Sequence, residues 1–296
     1  MRNRLLKPYT TFEIGGPADL FVEVQDLEEL VRLLPFLKEN EIPYFVLGGG
    51  SNLLVLDGGY RGVVIRLSSH FRKVEIHPND STCEVVVGAA LPLGALIRLA
   101  REYGFGEVAP IAGTPGTVGG GLKMNAGNAQ VGLGDFLLSA TVVTGDGRIV
   151  EIPRERIRYS YRTSHFPPGS VIIEGRFRFQ REDLSSARKK IDDHIRYRRQ
   201  TQPLSYPSAG SVFRNPPEMP AAKVIEQLGL KGVRLHGAEI SQKHANFILN
   251  LGGAEARDVL ALIRLCKSLA SRELGILLVE EIEMIGSPSL PREFSQ

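Results

Sequence analysis

Leu47-Gly48-Gly49-Gly50-Ser51-Asn52-Leu53-Leu54-Val55 follows the apolar run Ile42-Pro43-Tyr44-Phe45-Val46. Three successive glycines where a strand should stop demand unusual backbone dihedrals or the close approach of another group. Successive exposed N–H groups in such a turn make a concave anion site, suited to a phosphate or pyrophosphate. A second glycine-rich stretch, Ala112-Gly113-Thr114-Pro115-Gly116-Thr117-Val118-Gly119-Gly120-Gly121, repeats the theme. Two such loops point to a ligand of dinucleotide size. Neither has the G-x-x-x-x-G-K-S/T spacing of a P-loop or the G-x-G-x-x-G of a Rossmann turn, which removes the commonest owners of such loops.

On either side of the triple glycine the pattern is that of a small α/β unit. Phe21-Val22-Glu23-Val24 reads as a strand, and Asp26 with Glu29 three residues on forms a capping box. The helix it opens carries Leu27, Leu30, Val31 and Leu34 inward. The strand Ile42 to Leu47 runs into the glycines, and Gly62 to Leu67 completes a first lobe, 1–68. A second lobe, 69–181, has strands at Val74–Ile76, Cys83–Val87, Ala140–Val143 and Val171–Phe179, with a hairpin turn at Thr144-Gly145-Asp146-Gly147. Its helix runs from Leu91-Pro92 to Tyr103-Gly104, proline near the start and glycine just past the end. From Arg181 a charged helix to Gln200 and a loop lead into helix (Ala222–Leu228), strand (Phe247–Asn250), helix (Ala254–Leu274) and strand (Leu277–Ile285). This alternation predicts a smaller α/β domain over 182–286, with a loose tail over 287–296.

The 296 residues, 43% of them hydrophobic, suffice for a sizeable core. The balance of 36 basic against 33 acidic side chains is too even to demand a polyanion, so nucleic acid is not an expected partner. The basic stretch from Arg188 to Arg199 is interrupted by Asp192 and Asp193 and reads as a solvated helix face. Cys83 and Cys266 lie far apart without a metal-ligand companion, so no metal is expected. Cys266 shares the apolar face of Val259, Leu262, Ile263 and Leu269, as a core filler would. Two unpaired cysteines fit a reducing compartment. The N-terminus lacks the apolar core of a signal peptide and no apolar run reaches membrane-spanning length, so the expectation is cytoplasmic, with no membrane partner.

The two glycine-rich segments, with Ile111 ahead of the second and Met124-Asn125-Ala126-Gly127 after it, resemble the UDP-N-acetylenolpyruvoylglucosamine reductase (MurB) family. That family belongs to the larger group of PCMH/vanillyl-alcohol-oxidase-like flavoproteins with a two-lobed FAD domain. The likeness continues in Tyr161-Arg162-Thr163-Ser164, in Ala209-Gly210-Ser211-Val212-Phe213-Arg214-Asn215-Pro216, in Leu230-Lys231-Gly232, in Lys243-His244-Ala245-Asn246-Phe247 and at Glu281. It runs from Thr11-Phe12 to Gly286. The resemblance implies an α+β fold: a two-lobed FAD-binding domain followed by a smaller α/β substrate-binding domain. It implies NADPH-dependent reduction of UDP-N-acetylglucosamine enolpyruvate to UDP-N-acetylmuramate, a cytoplasmic step of peptidoglycan synthesis, by a monomer.

By the same likeness, FAD contacts fall at Leu47, Gly48, Gly49, Gly50, Ser51, Asn52, Ala112, Gly113, Thr114, Pro115, Gly116, Thr117, Gly119, Gly120, Asn125, Ala126 and Gly127. Arg162 and Glu281 fall beside the substrate carboxylate, Ser211 is the proton donor, and Asn215, His244 and Asn246 are candidate substrate contacts. Tyr161 packs beside Arg162 and is not assigned a catalytic role. Only 49 positions separate Arg162 from Ser211, which places the chain with the shorter branch of the family, lacking a tyrosine-bearing loop. NADPH and the sugar nucleotide would use one site in turn.

The chemistry tests these assignments. Hydride addition to an enolpyruvyl double bond drives negative charge into the carboxylate. A guanidinium grips a carboxylate bidentately and stays charged at any working pH, which suits Arg162. An ionised Glu281 would repel that charge, so it must be protonated or hydrogen bonded through its neighbours. Glu280 and Glu283 compete for the role, and the spacing to Met284-Ile285-Gly286 selects Glu281. A serine hydroxyl is a poor acid, so Ser211 donates only to a carbanion-like centre formed beside it. Its bland alternative is a turn hydroxyl, like Ser205 and Ser208. One rival reading is another two-lobed FAD oxidoreductase, such as an oxidase acting on a hydroxyl compound; it has no counterpart for Gly210 to Pro216 with Glu281. The other is a nonredox nucleotide-binding module, which would be colourless where a flavoprotein is yellow.

Overall fold

The computed structural model describes residues 1–160 and 162–288. The chain forms two compact units, each assembled from separate stretches. One contains Met1–Phe21, Gly50–Val63 and the residues from Arg199 onward; the other contains Val22–Gly49 and Val64–Arg198. These units cut across the linear division at 68/69 and 181/182.

The unit ending at Arg198 is built on a five-stranded antiparallel sheet. Its order is Val74–Pro78, Thr82–Gly88, Val171–Gln180, Leu137–Val143, Ile149–Pro153. Along Val171–Gln180 the burial alternates, with Phe177 and Phe179 inward and Arg176 and Arg178 outward. That period of two is the pattern of a sheet wet on one face. Phe105 stacks on Phe179 with ring centroids 4.9 Å apart. Burying each such ring contributes about 1.5–3 kcal/mol. The expected turn at Thr144–Gly147 closes the hairpin, Gly147 N–H donating to Thr144 O at 2.8 Å. The helix Leu93–Tyr103 buries Leu93, Leu96, Ile97 and Ala100 and ends at Gly104, whose φ of +85° suits glycine. At the start of the helix Leu27–Glu39, Asp26 Oδ1 accepts from Glu29 N–H at 2.8 Å while Glu29 Oε2 accepts from Gln25 N–H at 2.7 Å. The reciprocal bond thus lands one residue earlier than a standard capping box.

The charged helix, expected to open the C-terminal domain, spans Leu184–Thr201 and packs almost wholly with this unit. It buries Ala187 and Ile191, and Ile191 joins the core that contains Phe105 and Phe179.

The other unit gathers both ends of the chain. A three-stranded antiparallel sheet, Arg234–Leu235, Ala238–Ile240 and Ile248–Asn250, packs with the helices Ala221–Gln227 and Ala256–Leu274. Val259, Leu262, Ile263 and Cys266 are all buried, as their helical spacing requires, and burial pushes the Cys266 thiol up to about 12. Phe12, Ile14 and Leu54 share that core. Asp57 caps the helix Ala256–Leu274, its carboxylate accepting from Ala256 N–H at 2.8 Å and Arg257 N–H at 3.0 Å.

Two expectations are corrected here. Of the strand expected over Leu277–Ile285, only Glu283–Ile285 is regular, paired in parallel with Leu53–Val55. Upstream the chain makes a single bridge, Phe213 to Glu280. The tail expected from Ser287 is held at its start: Ser287 N–H donates to Gly59 O at 2.9 Å and its carbonyl accepts from Gly58 N–H at 3.0 Å. Residues 289–296 lie outside the described residues.

Candidate active site

In the unit ending at Arg198, the two glycine-rich loops lie against each other. A Cβ on Gly49 would sit 2.5 Å from Gly116 Cα, and one on Gly48 would sit 2.9 Å from Thr117 Oγ1. A Cβ on Gly119 would meet that of Ala89 at 2.9 Å. Part of the smallness of these residues is therefore dictated by the protein's own backbone. What the loops leave over is donors. Among the described residues, the amides of Gly48, Gly49, Gly113 and Gly116 reach no acceptor, whereas Gly119 donates to Ala89 O at 2.8 Å and Thr114 to Ile111 O at 3.0 Å. Backbone donors seldom go unpaired, and a cluster of them on adjoining loops suits the anionic oxygens of a nucleotide diphosphate. Leu47 and Ala112 are buried beneath the loops, and Pro115 is exposed.

Asn125, Ala126 and Gly127 do structural service in the same unit. Asn125 Oδ1 accepts from Gly134 N–H at 3.0 Å, and its Nδ2 donates to Ser160 O at 3.4 Å. Gly127 O accepts from Arg162 Nη1 at 3.0 Å. Ser160 pairs with Thr163 in a hairpin whose turn contains Arg162; Tyr161 lies outside the described residues. Arg162 has a φ of +54°, a left-handed conformation that costs a non-glycine residue roughly 1–2 kcal/mol. Ser164 Oγ pins the hairpin to Lys123 O at 2.6 Å. A strained arginine on a turn held from three sides is a positioned group.

In the other unit, the backbone weaves three segments together. Val212 N–H donates to Asn246 O at 2.9 Å, and Val212 O accepts from Glu281 N–H at 2.8 Å. Ser211 bridges to Phe247 and Phe213 to Glu280, so Ser211 and Glu281 stand on neighbouring extended segments. Gly210, with φ +81°, turns the chain into Ser211. Of the three competing carboxylates, Glu280 is taken by Lys267, whose Nζ lies 2.7 and 2.9 Å from its two oxygens. Glu283 is exposed, and Glu281 alone is buried. Residues Gly50 to Asn52 belong to this unit too. Asn52 Nδ2 donates to Glu281 O at 3.1 Å and Asn52 O accepts from Glu283 N–H at 2.9 Å. Gly50 O accepts from Thr11 N–H at 3.1 Å, and Thr11 Oγ1 donates to Ser208 O at 2.8 Å, just before Ser211. The end of the first glycine loop is thus tied on one side to Glu281 and on the other to the loop of Ser211. Thr11 was not among the expected site residues; only its place at the start of the family likeness pointed to it.

Comparison with known proteins bears on this arrangement. Residues 202–285 match the C-terminal domain of UDP-N-acetylenolpyruvoylglucosamine reductase, and residues 18–153 match an FAD binding domain. The chain is 43% identical over 282 residues to UDP-N-acetylenolpyruvoylglucosamine reductase 2 of Symbiobacterium thermophilum, covering 95% of this chain and 90% of the relative. It is 40% identical over 288 residues to the reductase of Clostridium novyi, covering 97% and 92%. The chain belongs to the UDP-N-acetylenolpyruvoylglucosamine reductase (MurB) family. The crystal structure of the MurB from Thermus caldophilus superposes with a TM-score of 0.81 at 38% identity, covering 95% of this chain and 97% of that one. The expected fold class, an FAD-binding domain with the MurB C-terminal domain, is borne out.

Of the three substrate contacts that the MurB resemblance implies, one is committed elsewhere. Asn246 is buried, its Oδ1 accepting from Phe213 N–H at 2.9 Å and its Nδ2 donating to Phe213 O at 2.8 Å. Both ends of the amide hold the strand that carries Ser211. Asn246→Ala leaves a buried donor and a buried acceptor unpaired, so the MurB fold is expected to lose about 2–4 kcal/mol. Urea denaturation reads this directly, and a midpoint equal to that of the parent would sink the assignment. Asn215 is exposed, with its carbonyl accepting from Ala221 N–H at 3.0 Å at the start of a helix. His244 packs edge-on to Phe247 at 4.9 Å, and its Nδ1 is buried with no partner among the described residues. Burial, then the Lys231 charge, pushes its imidazole below the ordinary range, so it is neutral near pH 7. A neutral ring with one unpaired nitrogen is equipped to exchange a hydrogen bond with a ligand.

Among the described residues no helix is long and apolar enough to cross a membrane.

Proposed function

We propose that the protein reduces UDP-N-acetylglucosamine enolpyruvate to UDP-N-acetylmuramate in peptidoglycan precursor synthesis, with FAD as its redox cofactor and NADPH as reductant. We further propose that it acts as a cytoplasmic monomer without nucleic-acid or membrane partners. In this reading residues 1–68 and 69–181 serve the cofactor and 182–286 the substrate. The observation that carries it is the bonding of Asn52 and Thr11, from the first glycine loop and the N-terminal segment, to the backbones beside Glu281 and Ser211.

When bound, FAD supplies hydride taken from NADPH. The loop amides of Gly48, Gly49, Gly113 and Gly116 are the donors suited to its diphosphate, with Gly50, Ser51, Asn52, Thr114, Pro115, Thr117, Gly119 and Gly120 completing the loops. Arg162 grips the enolpyruvyl carboxylate and stabilises the charge that hydride addition sends there. Ser211 gives its proton to the carbon bearing the ether oxygen, so one hydride and one proton saturate the double bond. Glu281 stands beside the same carboxylate. His244 and Asn215 remain candidates for the nucleotide, while Asn246 acts through the Ser211 strand.

Anaerobic titration with NADPH followed by mixing with UDP-N-acetylglucosamine enolpyruvate tests this reading. The yellow colour is expected to bleach with NADPH and to return with the enolpyruvyl nucleotide. Colourless protein that takes up no FAD would favour the nonredox module, and colour that fails to return would favour an oxidase.

A further inference from the structure

The hairpin of Arg158–Ser160 and Thr163–His165, whose turn contains Arg162, is a two-stranded sheet of its own. A ribbon of that size is marginal alone and takes its geometry from whatever holds it. Near the tip, Arg162 Nη1 donates to Gly127 O and Asn125 Nδ2 reaches Ser160 O. The base is held by Arg154. Its Nε donates to Gly134 O at 2.6 Å, and its Nη1 donates at 3.0 Å to the carbonyl of Ile157, the residue just before the first strand. Its guanidinium also lies over the ring of Tyr159, 4.7 Å from the centroid. Gly134 closes on the same ring, since a Cβ there would sit 2.8 Å from Cε1, Cε2 and Cζ of Tyr159.

One short segment receives both ends of this hairpin. Gly134 N–H donates to Asn125 Oδ1 at 3.0 Å, Leu133 N–H donates to Ala126 O at 2.8 Å, and Gly127 bridges to Gly132. Residues 125–135 therefore form one braced platform. Arg154 fixes the platform to the base of the hairpin, and Arg162 meets the same platform from the tip. The bonds of Arg154 are charge-assisted and run to two carbonyls, whereas its nearest carboxylate oxygen, on Asp135, is 4.0 Å away. A rigid planar fork spanning two backbone oxygens sets their separation, which a lysine ammonium does not. The Tyr159 hydroxyl is buried with no partner among the described residues, so the ring and not the hydroxyl supplies the grip.

We propose that Arg154 is a positioning residue of the active site: through Gly134, Ile157 and the Tyr159 ring it sets the base of the hairpin and so aims Arg162 at the substrate carboxylate. In this role it contacts no ligand. The proposal rests on the part given to Arg162 above, which Arg162→Met tests separately.

The experiment compares the parent with Arg154→Met, Arg154→Lys and Gly134→Ala as holoproteins, and repeats Arg154→Met in an Arg162→Met background. Anaerobic stopped flow times the bleaching by NADPH and the return of colour with UDP-N-acetylglucosamine enolpyruvate. Hydrogen–deuterium exchange is followed in the strands 158–160 and 163–165. Arg154→Met is expected to leave bleaching intact and to slow the return by about 10- to 100-fold, the scale of a misplacement of about 1 Å. Exchange in the hairpin strands speeds up with it. Arg154→Lys recovers only part of the rate. Gly134→Ala displaces the Tyr159 ring without altering a charge and slows the same step, which excludes the field of Arg154 as the cause. Because Arg154 acts through Arg162, its removal from the Arg162→Met protein changes the return by less than about 2-fold. Parent-like return and exchange in Arg154→Met would overturn the proposal. So would equal slowing of both half-reactions, or an undiminished loss in the Arg162→Met background, the marks of a residue that props the whole unit. If Arg162→Met itself left the return unchanged, the role of Arg162 would fall, and faster exchange would still support the hold of Arg154 on the hairpin.

Discussion

Ser211→Ala is expected to leave bleaching by NADPH intact while slowing the return of colour with the enolpyruvyl nucleotide by about 10²–10⁴-fold, the usual contribution of a positioned proton donor. The structure makes this a test of chemistry more than of folding. The segment at Ser211 is held by Val212, by Phe213 and by the amide of Asn246, none of which needs the serine hydroxyl. Removing one oxygen from a half-buried side chain leaves that weave in place. Stopped-flow absorbance separates the two half-reactions. If both slowed equally, the hydroxyl would be serving the cofactor or the fold, and its assignment as donor would be lost.

Arg162→Met is expected to slow the same half-reaction by about 10²–10³-fold, the scale of losing one preorganised stabiliser of developing charge. Here a competing effect has to be weighed. Arg162 has a φ of +54° and donates to Gly127 O, so the substitution also removes a bond that orders the hairpin. Methionine inherits the same backbone strain, so the strain itself does not distinguish the variants. Arg162→Lys does: it keeps a cation but loses the planar fork. Recovery of only part of the rate by lysine, with NADPH bleaching unaffected throughout, is the expected pattern. Equal rates for lysine and methionine below the parent would show that the hairpin bond, not the charge, carries the effect.

Much of the site was legible because its chemistry sits in contiguous words of sequence. The triple glycine, the Gly113 to Gly121 stretch and Gly210-Ser211 each announce a backbone requirement that the structure contains. Pro92 and Gly104 likewise mark the ends of one helix, and Asp26 the start of another. What stayed hidden depends on partners far away in the chain. Three glutamates within four positions were separable only by a motif, until Lys267 removed Glu280 from the competition. Leu53–Val55 is too short to declare itself a strand, because its pairing partner is Glu283–Ile285. Asn246 has the composition of a ligand contact, and only its two bonds to Phe213 reveal a strut. Arg198 sits in a run of charges that reads as a wet helix face. Its hydrogen bond to Thr114 is a tertiary fact with no local trace.

The interleaved chain path also orders events on the ribosome. All residues of the unit made from Val22–Gly49 and Val64–Arg198 have been synthesised once Arg198 is added. The other unit cannot close until the last third of the chain arrives. Phe12, Ile14 and Leu54 must wait for Val259, Ile263 and Cys266, and Asp57 for the helix it caps. Pairings so distant in sequence form slowly. During translation the nascent N-terminal segment therefore carries unburied apolar side chains, the kind of exposure that calls for chaperone protection. The residues that tie the first glycine loop to Ser211 and Glu281 are among the earliest made and the last to find their places.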